Sequence, residues 1–248
     1  MSRVNLEVCV DTIEGAVIAE KYGADRIELC AALSEGGLTP STGLMAAASE
    51  LSVPVYAMIR PRSGNFSYSE AEKSLMLRDI QIAEDTGLDG IVIGAVSPER
   101  RLDLDFLSAA LGRTRLPATL HRAFDTLTDV SAGVEDAVGL GFERILTSGH
   151  ALRAELGLDI LAETVSCAKG RLSVMAGAGI TPENASMILC RSRVDELHAS
   201  CSVQHPPSPS DGVETRLGFV PTSGLMSTSA KSVQALRAAV ENSFTTSE

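Results

Sequence analysis

The stretch that decides the fold is LEVCVDTIEGAVIAEKYGADRIELCAALSEGGLTP, residues 6–40. Its apolar residues alternate near both ends and recur at helical spacing between them, which predicts a strand, a helix and a second strand. A crossover helix packs on one face of the parallel strands that it joins, so the apolar side chains belong on that face. Because strand side chains alternate, Glu7, Cys9, Glu28 and Cys30 lie on the other face. A charged second face indicates a sheet that closes around a polar interior.

The same alternation of strand and helix continues along the chain. Six further strands are predicted at residues 53–60, 89–94, 118–122, 143–147, 171–176 and 195–199. A helix follows each of the first seven strands, and the eighth helix, residues 230–244, comes only after a stretch rich in Pro, Ser, Gly and Thr. Eight such units predict an α/β fold, a (β/α)8 TIM barrel, as a single domain over residues 1–248. Residues 203–229 are expected to form an irregular insert on its rim.

The composition argues against several classes of partner. The chain carries a formal net charge of −11 and no cluster of Lys or Arg, so neither nucleic acid nor an anionic membrane surface is an expected partner. No apolar run approaches the roughly 20 residues of a membrane-spanning helix, and the first residues lack the apolar segment of a signal peptide. Five cysteines, an odd number, do not suggest a disulfide framework. We expect a cytoplasmic protein, with a nuclear presence also allowed, that forms a homo-oligomer.

Functional residues of such barrels lie at the C-terminal ends of the strands. With the apolar face of each strand outward, the inward set contains Glu7, Cys9, Glu28, Cys30, Arg60, His121, Glu196 and His198. Buried charges need partners, so the three carboxylates are expected to face Arg60 and the two histidines. This set is either an ion-pair network that fixes barrel closure or a functional site. Its position at the functional end of the barrel favours the site.

Two glycine-containing turns predict a place for an anion. Ser148 and Gly149 follow the sixth predicted strand, and Gly177 and Gly179 follow the seventh, just before a helix. Small residues let backbone N–H groups approach an anionic ligand at such turns. The alternative is that glycine serves only the geometry of the turn, and the sequence leaves both interpretations open.

Cys9 and Cys30 form a second candidate site. They end neighbouring strands, which lie about 4.8 Å apart in a sheet. Two thiolates at such a separation suit Cu(I), a soft ion. The alternative is that each cysteine is a small buried hydrophobic residue.

Five segments of the sequence resemble the copper homeostasis protein CutC family. They are residues 7–43 (EVCVDTIEGAVIAEKYGADRIELCAALSEGGLTPSTG), 58–69 (MIRPRSGNFSYS), 121–125 (HRAFD), 143–149 (ERILTSG) and 175–181 (MAGAGIT). The resemblance runs from about Val4 to Ser202 and implies a TIM barrel, a role in copper handling, and Cu(I) binding by a cysteine pair matching Cys9 and Cys30. Beyond Ser202 the sequence follows the family pattern only loosely.

Two functions are therefore expected, and the polar residues distinguish them. The first is a cytosolic Cu(I)-binding protein of copper homeostasis, with copper bound by Cys9 and Cys30. The second is an enzyme on a small phosphorylated or carboxylated metabolite, because a copper carrier has no evident use for the remaining polar groups. Its candidate catalytic residues are Glu28, Arg60, His121, Asp125 and His198. Here Arg60 would bind the anion, and His121, expected to titrate near neutrality, would transfer protons.

Overall fold

Eight parallel strands close into a barrel in sequence order, and the last pairs with the first. The computed structural model describes residues 4–243. The barrel strands are β1 (Asn5–Val10), β2 (Arg26–Leu29), β3 (Val55–Met58), β4 (Gly90–Ile93), β5 (Ala118–Leu120), β6 (Arg144–Thr147), β7 (Ser173–Ala176) and β8 (Glu196–Ala199). The predicted (β/α)8 TIM barrel is confirmed.

Helices connect these strands and surround the barrel. They are α1 (Ile13–Tyr22), α2 (Thr42–Ala48), α3 (Glu70–Asp85), α4 (Leu104–Leu111), α5 (Val130–Leu140), α6 (Leu158–Ala168), α7 (Ala185–Ser192), the short α8 (Gly212–Arg216) and α9 (Ala230–Asn242). Their starts follow local chemistry: Ser69 and Glu72 form a reciprocal capping box at α3. The predicted last helix ends at Asn242, and its expected final residue, Phe244, lies outside the described residues. No helix within residues 4–243 is both long and apolar enough to cross a membrane.

The main apolar core lies between the strands and the helices. Leu6, Val8, Ile27 and Leu29 are all fully buried and belong to the same cluster as Ala16 of α1. Burial of one such large aliphatic side chain contributes about 1.5–3 kcal/mol. The alternation in β1 and β2 therefore directs these side chains to the helices and turns Glu7 and Glu28 into the barrel, as predicted.

Inside the barrel, an ion network joins the strands that close it. Arg26 of β2 donates to Glu7 of β1 through Nε and to Glu196 of β8 through Nη2. Arg144 of β6 donates from Nε to both carboxylate oxygens of Glu196 at 3.0 Å and from Nη1 to Thr119 Oγ1 at 3.0 Å. All five side chains belong to buried residues, so each charge meets an opposite charge where water is excluded.

This network corrects the expected pairing of the carboxylates with Arg60. The arginines that meet Glu7 and Glu196 are Arg26 and Arg144. Arg26 is not among the predicted inward residues, although it precedes Glu28 by two residues in β2 and therefore shares its face.

Tyr56 fills the space next to the network. Its ring lies 5.4 Å from the guanidinium carbon of Arg26 and 5.6 Å from that of Arg144. Such contacts add cation–π attraction to the ion pairs. On the neighbouring strand only glycine fits, because a Cβ at Gly90 would lie 2.5 Å from the Tyr56 ring.

The insert at residues 203–229 is more ordered than expected. It contains an antiparallel hairpin of β9 (Ser202–His205) and β10 (Leu225–Thr228), with α8 between the two strands. Gly224 makes the close return possible, since its φ is +91° and a Cβ there would lie 1.8 Å from the carbonyl oxygen of His205. The many turn residues of this segment concealed two strands of four residues each.

Replacement of Glu7 by Gln tests the network. Burial alone would raise the pKa of Glu7, but the charge of Arg26 and the bond and charge of His198 lower it from 4.5 to about 2. The native state is therefore stabilised above pH 4.5 by a contribution that is lost as the pH falls toward 2. We expect Glu7→Gln to lower the free energy of unfolding by about 3–5 kcal/mol at pH 7 and by less at pH 3, measured by urea denaturation.

Glu135→Gln is the matched control. It removes a carboxylate from a pair with Arg171 whose side chains are 56% and 36% exposed, and such surface pairs contribute little. An equal, pH-independent loss in both variants would contradict the stabilising role of the interior network.

Candidate functional site

A cavity of about 630 Å³ opens at the C-terminal ends of the barrel strands. Strand ends provide Cys9, Glu28, His121 and His198, and the hairpin residues 224–228 form part of its wall. Ligand sites of this fold lie at this end, and the volume is in the range of small-molecule pockets.

Three buried side chains with different donor atoms meet at the floor of this cavity. One ligand atom each of Cys9, Glu28 and His198 lies within 4.8 Å of the other two. They converge because β1 is hydrogen-bonded to β2 on one side and to β8 on the other. Sulfur, carboxylate oxygen and imidazole nitrogen are the three common protein ligands of transition metals.

Glu7 orients the imidazole of this group. His198 Nδ1 lies 2.7 Å from Glu7 Oε1, while Nε2 lies 3.7 Å from Glu28 Oε2. Because Nδ1 is engaged by a carboxylate below it, Nε2 is the nitrogen directed to the other two groups. A carboxylate behind the far nitrogen is the usual support of a metal-binding histidine.

Burial and neighbouring charges act in different directions on the ionisable groups of the floor. Burial lowers the pKa of His198, but the negative charges of Cys9 and Glu28 and hydrogen bonds with Cys9 and Glu7 raise it well above its usual value. Burial, with the charge of Glu7, raises the pKa of Glu28 to about 6, although His198 opposes the shift. The surroundings therefore favour the protonated form of His198 and disfavour the charged form of Glu28.

Cys30, the second thiol of the predicted copper pair, lies behind this group. It is fully buried and donates to Glu28 Oε2 at 3.5 Å. Burial and the charge of Glu28 raise the pKa of its thiol well above the usual value. A further thiol, Cys201, follows β8, and burial together with the charge of Cys9 raises its pKa to about 12.

Arg60 is occupied by backbone carbonyls. Nη1 donates to the carbonyl oxygens of Glu35 and Gly37 at 2.8 and 2.9 Å, and Nη2 donates to that of Gly64 at 3.0 Å. The guanidinium expected to bind an anion therefore ties together the loops after β2 and β3. Arg60 is 5% exposed and is absent from the cavity wall.

His121 lines the cavity as a neutral side chain. Its Nδ1 accepts from the backbone N–H of Ala123 at 3.1 Å, and its ring lies 4.9 Å from that of Phe66. Burial and the charge of Arg60 lower its pKa to about 3. The expectation that it titrates near neutrality is therefore wrong. Its Nε2 is buried and has no partner among residues 4–243.

The donors predicted at Ser148 and Gly149 are taken by the protein itself. Asp125 accepts from the backbone N–H groups of Ser148 at 3.0 Å and His150 at 3.2 Å, and Gly149 N–H donates to Thr147 Oγ1 at 2.9 Å. The Asp125 carboxylate therefore occupies the position predicted for a bound anion. Its contacts join the loop after β5 to the loop after β6.

Gly177 and Gly179, the other two residues predicted for the anion, have different structural roles. Gly177 donates to the carbonyl of Thr147 at 3.0 Å, and a Cβ there would lie 2.6 Å from Leu146, so this glycine permits close packing. Gly179 follows Ala178 in a turn where both φ angles are positive, +75° and +73°. Of the four residues predicted for the anion, only Gly179 lines the cavity.

These features define a (β/α)8-barrel protein with a buried thiol, carboxylate and imidazole at the mouth of the barrel. The sequence comparisons name the family: the CutC family model matches residues 4–203, and the chain belongs to this family. A CutC family protein of Sinorhizobium medicae is 46% identical over 242 residues, 97% of this chain and 98% of the relative. The human copper homeostasis protein cutC homolog is 46% identical over 197 residues, 79% of this chain and 72% of the relative.

A solved structure agrees with this membership. The Streptococcus agalactiae protein described as a copper homeostasis protein CutC superposes with a TM-score of 0.76 at 31% identity, covering 79% of this chain and 98% of that one.

Glu28 provides a test of the electrostatics of the floor. Its pKa in the folded protein, about 6, exceeds the usual 4.5, so the native state loses stability as the pH rises from 4.5 to 6 and keeps that loss above pH 6. We expect Glu28→Gln to be more stable than the parent protein by about 2 kcal/mol at pH 8 and equal to it near pH 4. Urea denaturation with a metal chelator present measures the difference.

The direction of the stability change provides the control, because Glu7→Gln, in the same barrel interior, is expected to lower the free energy of unfolding. If Glu28→Gln is less stable than the parent protein at pH 8, the net effect of burial on Glu28 has been assigned the wrong direction.

Proposed function

We propose that this protein binds Cu(I) at the floor of the barrel mouth and handles it in the cytosol as a copper homeostasis protein. The proposal rests mainly on Cys9 and His198. Both residues are buried, and the Cys9 sulfur and a ring nitrogen of His198 lie within 4.8 Å of each other. Membership of the CutC family and the names of its human and streptococcal members support the link to copper.

The donor chemistry favours a soft ion bound by sulfur and nitrogen. Cu(I) prefers thiolate and accepts imidazole, whereas a carboxylate is a hard ligand. Cys9 Sγ and His198 Nε2 are therefore the proposed ligands, with His198 held by Glu7 at 2.7 Å. Cys30 is the proposed second thiolate, because its contact with Glu28 places it beside the same group.

Competition with a Cu(I)-specific chelator tests the assignment. Cys9→Ser is expected to abolish tight binding of one equivalent of Cu(I), and Cys30→Ser is expected to weaken it. Glu7→Gln should weaken binding about 10- to 100-fold through the orientation of His198. Because copper displaces protons from its thiol ligands, affinity should also fall between pH 8 and pH 6.

Cys167→Ser and Cys190→Ser are the matched controls, since Cys167 lies on α6 and Cys190 on α7, away from the cavity wall. Both should bind as the parent protein does. Full stoichiometry in Cys9→Ser, or equal losses in all four cysteine variants, would place the copper site elsewhere.

A further inference from the structure

The cavity above the proposed copper site has polar groups that copper does not use. Glu28 Oε1 and His121 Nε2 are both buried and have no hydrogen-bond partner within the described part of the chain. Glu28 is 3% and His121 is 2% exposed, and both residues line the cavity. A buried polar atom without a partner is destabilising, so two of them at one cavity indicate a ligand that satisfies them.

The two atoms specify complementary groups on that ligand. His121 is neutral and accepts at Nδ1 from Ala123, so its proton is on Nε2, which donates. Glu28 Oε1 belongs to a carboxylate whose other oxygen meets Cys30 and His198, so Oε1 accepts. A ligand therefore offers an oxygen to His121 and a hydroxyl donor to Glu28.

Arg122 places a fixed positive charge on the same cavity. Its Nε donates to Asp125 Oδ2 at 2.7 Å, and its Nη2 donates to Ser148 Oγ at 2.8 Å. Nη2 also donates to the carbonyl oxygen of Ala151 at 3.3 Å, and none of these bonds within residues 4–243 uses Nη1. The side chain is 41% exposed and the residue lines the cavity. A guanidinium held on one side and open on the other is prepared for a carboxylate or phosphate.

The size and walls of the cavity fit an organic molecule. Its volume of about 630 Å³ far exceeds the space of a single metal ion. The side chains of Met58, Phe66, Leu146 and Ile180 provide apolar walls around the few polar groups. This combination is typical of small-molecule sites.

We infer that the barrel mouth binds a small polyhydroxylated organic anion of the sugar-phosphate or sugar-acid class. One hydroxyl donates to Glu28 Oε1, another oxygen accepts from His121 Nε2, and the anionic group binds Arg122. This binding goes beyond copper, since none of Arg122, His121 and Glu28 is a proposed copper ligand, although Glu28 contacts Cys30 and His198 through its other oxygen.

Isothermal titration of the full-length protein, with a metal chelator present, tests the inference. The probes are D-ribose 5-phosphate, D-gluconate, D-ribose and inorganic phosphate. At least one of the first two should bind saturably, and at least tenfold more tightly than both ribose and inorganic phosphate. The tighter of the two identifies the anionic group as phosphate or carboxylate.

Arg122→Gln should lower the affinity for the anion about tenfold, as loss of a charge-assisted hydrogen bond does, and should leave the affinity for ribose unchanged. Glu28→Gln, which is expected to fold stably, should weaken binding of the same anion, because the ligand hydroxyl then meets an amide in place of a carboxylate. Arg153→Gln is the control, because Arg153 is a rim arginine, paired with Glu155 and absent from the cavity wall.

Three results would each overturn the inference. They are no saturable binding of either hydroxylated anion, inorganic phosphate binding as tightly as ribose 5-phosphate, and equal weakening by Arg122→Gln and Arg153→Gln.

Discussion

The structure depends on one buried guanidinium. Arg26 of β2 binds carboxylates from β1 and β8, so a single side chain links three adjacent strands across the place where the barrel closes. Burying these charges without one another would cost several kcal/mol per ion. Closure with β8 beside β1 is the arrangement that provides their partners. The network thus favours a closed barrel over an open sheet with the same strand order.

The same network supports the chemistry above it. Glu7 uses one carboxylate oxygen for Arg26 and the other for His198, so the closure of the barrel and the orientation of the imidazole depend on one residue. His198 in turn lies against Cys9 and Glu28. The residue that helps to close the barrel therefore also positions the imidazole beside Cys9 and Glu28.

The sequence predicted the fold better than the site, for physical reasons. Alternation along β1 and β2 determines which side chains face the helices, so the inward position of Glu7 and Glu28 follows from local pattern. What a long side chain then contacts is decided by distant strands: Arg60 turns to loop carbonyls, whereas Arg122, adjacent to His121 in sequence, lines the cavity. No spacing rule distinguishes these two outcomes.

The insert at residues 203–229 and the turn after β6 that was predicted to bind an anion are two further features that local sequence pattern did not predict. Strands β9 and β10 have no buried residue, so no apolar face marks them among the turn residues. The Asp125 carboxylate accepts from backbone N–H groups of the turn after β6, so it takes the donors predicted for an anion. This contact depends on tertiary structure, and the local sequence pattern does not reveal it. The spacing of Arg122 and Asp125, three residues apart in the HRAFD segment, was the available signal.

The floor and the hairpin wall of the cavity come from different stretches of the chain. The polar floor comes from residues 9–198, within the segment matched by the family model, whereas most of the hairpin lies beyond its end at residue 203. The hairpin leaves the barrel just after β8 and rejoins it just before α9. Its length and side chains can therefore change while the strand pairings that close the barrel stay the same. The wall and the floor of the cavity are thus encoded by separate stretches of the chain, so a substitution in the hairpin reshapes the opening without altering the buried charges beneath it.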